Sequence, residues 1–417
     1  MHADTIVLGA GIVGVSIAVH LARRGRAVAL VDRRQPGEET SFGNAGLIQQ
    51  EGIFPHAFPQ NLGVIARYGL NTSLDMRYHL ADLPRLAPYL ARYWWFSRPR
   101  QFEAIARSYA RLIAASVSEH AVLVNEAKAD GLIVRNGWFE LFRTAAAFDK
   151  AGAEAEWLSR EFGVASARLD QAMVRQVEPG LKTGVLGALH WRDPWTVRSP
   201  HELTLAYLSL FRSLGGHFVK ADARTLNQQA SGGWTIATAD GPLASRQAVL
   251  ALGPWSTDIT RRLGYRIPLE VQRGYAMHYQ PVDGEPLRNW IADRERGYLL
   301  APMLQGIRLT TGAEFARRDA PKTPVQLAET ERVARQLFPL GVRLDPEPWM
   351  GGRPCTPDML PVIGPAPRHN NLWFAFGHAH RGLTLGPVTG RLIAEMLTGE
   401  TPFVNAEPFS AGRFAAL

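Results

Sequence analysis

The chain has 417 residues, 46% of them apolar and 20% charged, with 39 glycines and 28 prolines; this excludes a disordered or fibrous protein and leads us to expect two domains. Its one cysteine, Cys355, excludes a disulfide scaffold and cysteine-ligated zinc or iron–sulfur sites, and allows a reducing compartment. The formal charge of +8 does not mark a nucleic-acid binder, because all but five of the 46 basic residues are arginine and no five basic residues are consecutive; an anionic small substrate or a weakly acidic membrane surface explains it equally well.

An apolar run over residues 5–8 leads into Gly9-Ala10-Gly11-Ile12-Val13-Gly14. A helical pattern with Ile17, Ala18 and Leu21 on one face then stops at Gly25, and a second apolar run over 27–31 ends on Asp32. Strand, glycine turn, helix and strand follow in the order that a dinucleotide needs. Gly9 permits the tight turn, Gly11 lets backbone approach a pyrophosphate, and Gly14 lets helix and strand pack closely. The helix N-terminus offers unpaired N–H groups to the phosphates, and Asp32, with Arg33 beside it, is placed for the ribose. The fingerprint alone does not separate NAD from FAD. Residues 6–22 are apolar enough to imitate a signal peptide. Asp4 precedes them, however, while Arg23, Arg24 and Arg26 follow, and the stretch is short for a bilayer span. A cytoplasmic protein is expected.

Downstream, the small and hydroxyl-rich segment Ser41-Phe42-Gly43-Asn44-Ala45-Gly46-Leu47 suits a loop wrapped around a bulky ligand. Around residues 83–96, Leu83, Leu86, Leu90, Tyr93 and Trp94 recur at helical spacing beside Arg85, Arg92, Arg98 and Arg100. Two readings are open: a core helix, favoured, or a basic face touching a membrane. Ser199, Pro200 and Glu202 form a capping box with proline at the first helical position. Strands are expected at 217–220 and 247–252. After Arg353-Pro354-Cys355-Thr356-Pro357-Asp358, a strand at 372–376 enters Gly377-His378-Ala379-His380-Arg381-Gly382-Leu383-Thr384, and a helix ends at Gly399. Pro387 is expected in the first turn of that helix.

These separated motifs, in this order, resemble the D-amino-acid oxidase superfamily of FAD enzymes, and most closely its branch of bacterial D-amino-acid dehydrogenase, glycine oxidase and D-hydroxyproline dehydrogenase. The resemblance covers nearly the whole chain. It implies an α/β fold: a Rossmann-like FAD-binding domain from residues 1–60, 195–263 and 345–417, and an α+β substrate domain on a mixed sheet from 61–194 and 264–344. It implies noncovalent FAD held by Gly9, Gly11, Gly14, Asp32 and Arg33, with Ser41, Asn44, Ala45, Gly46 and Leu47 along the ribityl chain and ring. Gly253 and Trp255 fall at a motif strand end. The family's apolar adenine-reading position falls here on Arg224. The loop of Gly377 and His378 leads to Gly382, Leu383 and Thr384, expected at the pyrimidine edge of the flavin. Arg353 takes the position that grips a substrate carboxylate, and Tyr298 that of a supporting hydroxyl. No metal site is expected, His378 and His380 being read as loop residues.

The resemblance further implies oxidative deamination of a D-amino acid, with D-proline or cis-4-hydroxy-D-proline as plausible as alanine, and electrons passed to a quinone or another acceptor. A glycine or sarcosine oxidase, a flavin-carrying subunit of a heteromeric dehydrogenase and a nicotinamide enzyme are the alternatives. Peripheral contact with the inner face of the membrane, or with partner subunits, stays open.

Overall fold

The structure, a computed structural model, describes residues 2–182, 184–282 and 285–414. Among these, three sheets carry the fold. The first has eight strands. Its parallel centre runs His217–Lys220, Val28–Asp32, His2–Leu8, Gly241–Leu250 and Leu372–Phe376. Trp234–Thr238 and Asn227–Gln228 continue it antiparallel, as does Val362–Pro365 beside Leu372–Phe376. Residues 6–8, 28–31 and 372–376 of these strands are continuous apolar runs because helices and loops cover both sheet faces.

Two of those helices lie side by side. Ile12–Ala22 and Gly382–Thr398 approach closely because the second presents Gly386 and Gly390, where an added Cβ would meet Ile12, Ser16 and His20 within 2.7–3.3 Å. Each follows a strand of the parallel sheet, so both N-termini open at the carboxyl edge of that sheet, where doubly wound folds bind ligands.

The second sheet has eleven strands, running from Met76–Tyr78 through Ala313–Phe315, Glu270–Pro281, Gly306–Thr310, Tyr298–Met303, Ile291–Asp293, Trp138–Phe142 and Gly187–Trp191 to Ser166–Asp170. The long strand Glu270–Pro281 also pairs with Leu340–Arg343 and Trp349–Cys355. This sheet therefore runs past residue 345 and includes Arg353, opposite Gln272. A short sheet joins Leu47–Ile48, Trp195–Val197 and Ile133–Val134.

The N-cap half of the expected box forms, with Ser199 Oγ accepting from the Glu202 N–H at 3.2 Å ahead of Pro200–Ser213. The helix Leu83–Phe96 buries Leu86, Tyr89 and Tyr93 against Phe315, Cys355 and Met359, while Trp94 and Trp95 stay 40% and 49% exposed. Pro387 departs from expectation. The helix begins at Gly382, so the proline lies inside it and not in the first turn. A proline has no N–H for the carbonyl four residues back. Here that carbonyl, of Leu383, accepts instead from His120 Nε2 at 2.8 Å.

Candidate active site

A cavity of about 1570 Å³ lies between the two large sheets, larger than a drug-sized ligand needs. At one end it is made of backbone. Gly9 has φ +108°, and a Cβ there would stand 2.3 Å from the Ala251 carbonyl; one on Gly14 would stand 1.8 Å from the Gly9 carbonyl. Gly9 and Gly11 line the cavity, and Gly14 packs behind them. The helix after the turn takes Gly11 as N-cap, with no side-chain cap of its own. Ser41 Oγ accepts the Ile12 N–H at 3.0 Å. The Asp32 carboxylate lines the wall and accepts N–H groups of Ala10 at 2.8 Å and Arg34 at 3.0 Å, which fixes the glycine turn. Arg33 stacks over the Trp255 ring at 5.4 Å, next to Gly253. Arg224 stands at the same end, exposed and tied to Asp222.

Further along, Asn44, Ala45 and Leu47 line the wall while Gly46 turns away from it. The segment is clamped from behind: Asn44 Oδ1 accepts the Gly46 N–H at 2.9 Å, and Trp290 Nε1 donates to the Ala45 carbonyl at 3.0 Å. Arg308 donates to the Asn44 carbonyl at 2.6 Å. Arg308 is itself held by His278 at 2.9 Å, and His278 by Asp345 at 2.9 Å. Burial lowers the Arg308 guanidinium to about 10. Nothing in the sequence marked this chain of three, because its members come from three strand regions far apart in order.

Gly382 and Leu383 line the cavity at the start of the last long helix. Thr384 lies behind, its hydroxyl donating to the Leu47 carbonyl at 3.1 Å and accepting the Gln49 N–H at 3.2 Å. His120 holds the Leu383 carbonyl. Since a carbonyl only accepts, Nε2 carries the proton and Nδ1 receives the Tyr207 hydroxyl at 2.9 Å. Burial takes His120 down to about 4. Gly377, at φ +81°, turns the chain behind the wall. His378 is buried, lowered to about 3, and hydrogen-bonded to Thr389 at 2.9 Å. Among the described residues no cluster of three or more His, Cys, Asp or Glu is placed to hold a metal.

At the far end stands Arg353. Its guanidinium lies over Gly274, where a Cβ would be 2.5 Å away. It donates only to backbone carbonyls, of Gly312 at 3.0 Å, Thr311 at 3.2 Å and Arg273 at 3.3 Å. Among the described residues it has no carboxylate partner, and desolvation lowers its affinity for its proton. The neighbouring Arg273 is different: fully buried, it is paired with Glu314 at 2.7 Å and staples the sheet. Tyr298 is also buried and lines the cavity. Burial raises its hydroxyl pKa well above the usual range, and its nearest charges are Asp293 and Arg143. The structure thus places Tyr298 beside that ion pair, and records no contact of it with Arg353.

With this geometry in view, comparison with known proteins is decisive. Residues 4–396 match the model of the family described as FAD dependent oxidoreductase. The chain belongs to that family. It is 30% identical to a D-amino-acid oxidase of Bradyrhizobium diazoefficiens over 98% of both chains, and 31% identical to a D-amino acid dehydrogenase of Methylobacterium radiotolerans over the full length of both. Its fold matches the crystal structure of glycine oxidase from Geobacillus kaustophilus with a TM-score of 0.74 at 21% identity, covering 98% of each chain. The cofactor of this family member is FAD, and the cavity fits it. The glycine turn offers a cradle that any Cβ would fill, two helix N-termini face inward, and the volume admits cofactor and substrate together. Cys355 is fully buried in the apolar cluster with Leu86, Tyr89 and Tyr93, its thiol pushed up to about 12. A thiol held protonated in that way is a poor nucleophile.

Proposed function

We propose that this FAD enzyme oxidises the Cα–N bond of α-amino acids, D-configured ones first, to the imino acid. The imino acid then hydrolyses to a 2-oxo acid and ammonium, or stays a cyclic imine when the substrate is D-proline or cis-4-hydroxy-D-proline. The observation that carries the reading is Arg353, a guanidinium on the cavity wall whose described partners are all backbone carbonyls. A substrate carboxylate would supply the missing anion, and the planar fork would fix its orientation.

FAD, when bound, supplies the hydride acceptor. In this reading the nucleotide portion would lie along Gly9, Gly11 and Asp32, with Gly14 packed behind the turn and Arg33, Arg224, Gly253 and Trp255 at the adenosine end. The ring portion would lie against Ser41, Asn44, Ala45, Leu47, His378, Gly382 and Leu383, with Gly46 and Thr384 supporting that wall from behind. The nucleotide domain comprises the eight-stranded sheet and its helices, and the substrate domain the eleven-stranded sheet. Arg353 holds the carboxylate so that Cα–H faces the ring, and orientation carries most of the rate. His56 and His380, whose rings stand 4.2 Å apart in the cavity, are held below the usual imidazole range by desolvation and by the neighbouring Arg353 and Arg381, so the amine meets no histidine cation there near neutral pH. Tyr298 is proposed to brace the substrate from the sheet.

Electrons leave to a quinone or another acceptor. Among the described residues no helix is long and apolar enough to cross a membrane. The exposed Trp94 and Trp95, with Arg98 stacked 5.6 and 4.5 Å from their rings, support a peripheral approach to a lipid surface. A glycine- or sarcosine-type oxidation at the same site is the second reading, favoured by the glycine oxidase fold. The test is anaerobic mixing of the yellow protein with D-, L- and N-methyl amino acids. Bleaching by D-amino acids first is expected; bleaching only by glycine and sarcosine selects the second reading, and bleaching by none contradicts both.

A further inference from the structure

Beside Arg353 the cavity holds a second guanidinium, which among the described residues has no ion partner. Arg381 is 7% exposed and lines the same cavity. One terminal nitrogen donates to the Phe54 carbonyl at 2.7 Å, and the other, Nη1, is buried with no hydrogen-bond partner. The group lies over the Tyr109 ring at 5.3 Å and against Gly52, where a Cβ would be 2.8 Å from its central carbon. Arg353 sits on Gly274 in the same way, so at both sites a missing side chain makes the room.

The two arginines belong to one neighbourhood. The segment carrying Arg381 is bound to the strand carrying Arg353 by a bridge between Cys355 and His378, and by the Ala379 N–H on the Pro354 carbonyl at 2.9 Å. His56 and His380 both lie within electrostatic reach of both guanidinia, whose positive charge opposes protonation of either ring. The carboxyl that acts on Arg381 is Glu51. It forms no ion pair with Arg381; its Oε1 accepts from Gln49 at 2.7 Å and Trp138 at 3.1 Å, and burial raises it to about 7. Glu140 and Asp293 are already engaged by Arg294 and Arg143.

One carboxylate can satisfy one of these guanidinia; the other stays desolvated without an anion, which is costly unless the ligand brings a second. We infer that Arg381 is the recognition group for a second carboxylate, making the preferred substrate a dicarboxylic amino acid. The acid would come either from the side chain, as in D-glutamate or D-aspartate, or from an N-carboxyalkyl group. The inference rests on the amino-acid reading, in which Arg353 takes the α-carboxylate.

The test compares kcat/KM for each acid with its neutral partner: D-glutamate against D-glutamine, D-aspartate against D-asparagine, and N-(carboxymethyl)-D-alanine against N-methyl-D-alanine. In at least one pair the acid should win by about tenfold or more, the scale of hydrogen bonds to a charged group. The winning arm identifies where the second carboxylate sits. Arg381→Met should bring that ratio close to one, and Arg381→Lys should keep part of it. A merely structural Arg381 would lower both members of a pair together and leave the ratio standing. A readout without turnover is titration of the flavin spectrum of the holoprotein, in which glutarate should bind about tenfold tighter than valerate, or succinate than butyrate. If no amino acid bleaches the flavin, the amine-oxidation reading fails, while the diacid preference still decides this inference. Neutral partners that match or beat the acids in every pair overturn it, as does a ratio that Arg381→Met leaves unmoved.

Discussion

At the glycine-turn end of the cavity the chain works with backbone: Gly9 in a left-handed conformation, Gly14 against the Gly9 carbonyl, and a helix N-terminus whose N-cap, Gly11, carries no side chain. At the Arg353 end it works with side chains, two guanidinia and two histidines delivered by a strand at 349–355, a loop at 377–381 and a segment near residue 56. A site made of backbone tolerates no added atom and so writes glycines at fixed spacing. A site made of side chains needs only that distant segments meet, and leaves no local pattern. The largest expected effect follows from the first half of that contrast. Gly14→Val puts carbon where 1.8 Å is available, so it should give protein without flavin or without a cooperative fold, read from the flavin-to-protein absorbance ratio and circular dichroism. A yellow, stable Gly14→Val protein would break the contrast.

The same difference explains what could be read in advance. The first strand–turn–helix–strand, the capped helix at 200–213 and the strand and helix at 372–398 all follow from local periodicity, caps and glycine stops. Arg353 was singled out only through the family resemblance of its Arg-Pro motif, and the structure brings it to the cavity wall. The Asp345–His278–Arg308 chain and His120 could not be read this way, since each acts on a carbonyl supplied by another part of the chain. Pro387 was the one available clue to His120: a proline within a helix frees the carbonyl four residues back, and a buried carbonyl requires a donor.

The buried histidines sharpen the contrast next. His20, His120 and His378 are lowered by burial to about 3, 4 and 3. The unfolded chain therefore binds more protons below about pH 6.5, and their share of stability, complete above that pH, is lost as pH falls toward 3–4. Glu51, raised to about 7, acts oppositely, favouring the fold below its ordinary value and losing that share as pH rises through 7. Three histidines against one carboxyl leave a net of about two protons near pH 5.5. Their joint share of stability should then fall on acidification, checked by urea unfolding between pH 7 and 5 of the wild type against His20, His120 and His378 variants. A flat profile would show these rings hydrated.

A smaller effect is expected from His120→Phe, which leaves the Leu383 carbonyl buried without its donor. About 2 kcal/mol of stability should be lost, with weaker flavin retention, and His120→Gln, which can still donate, should recover part of both. No change in urea midpoint would mean the carbonyl finds another partner. The smallest effect concerns Cys355. Acid precipitation should release the flavin into solution, and Cys355→Ser should retain the same flavin content when native; colour that stays with the precipitate would overturn noncovalent binding.

The central claim is that Arg353 holds the substrate carboxylate opposite the flavin, and saturation of anaerobic flavin bleaching in Arg353→Met tests it most directly. The account predicts a protein that stays yellow and folded while kcat/KM falls about a hundredfold, carried by a raised half-saturating concentration. Wild-type saturation in that variant would contradict it.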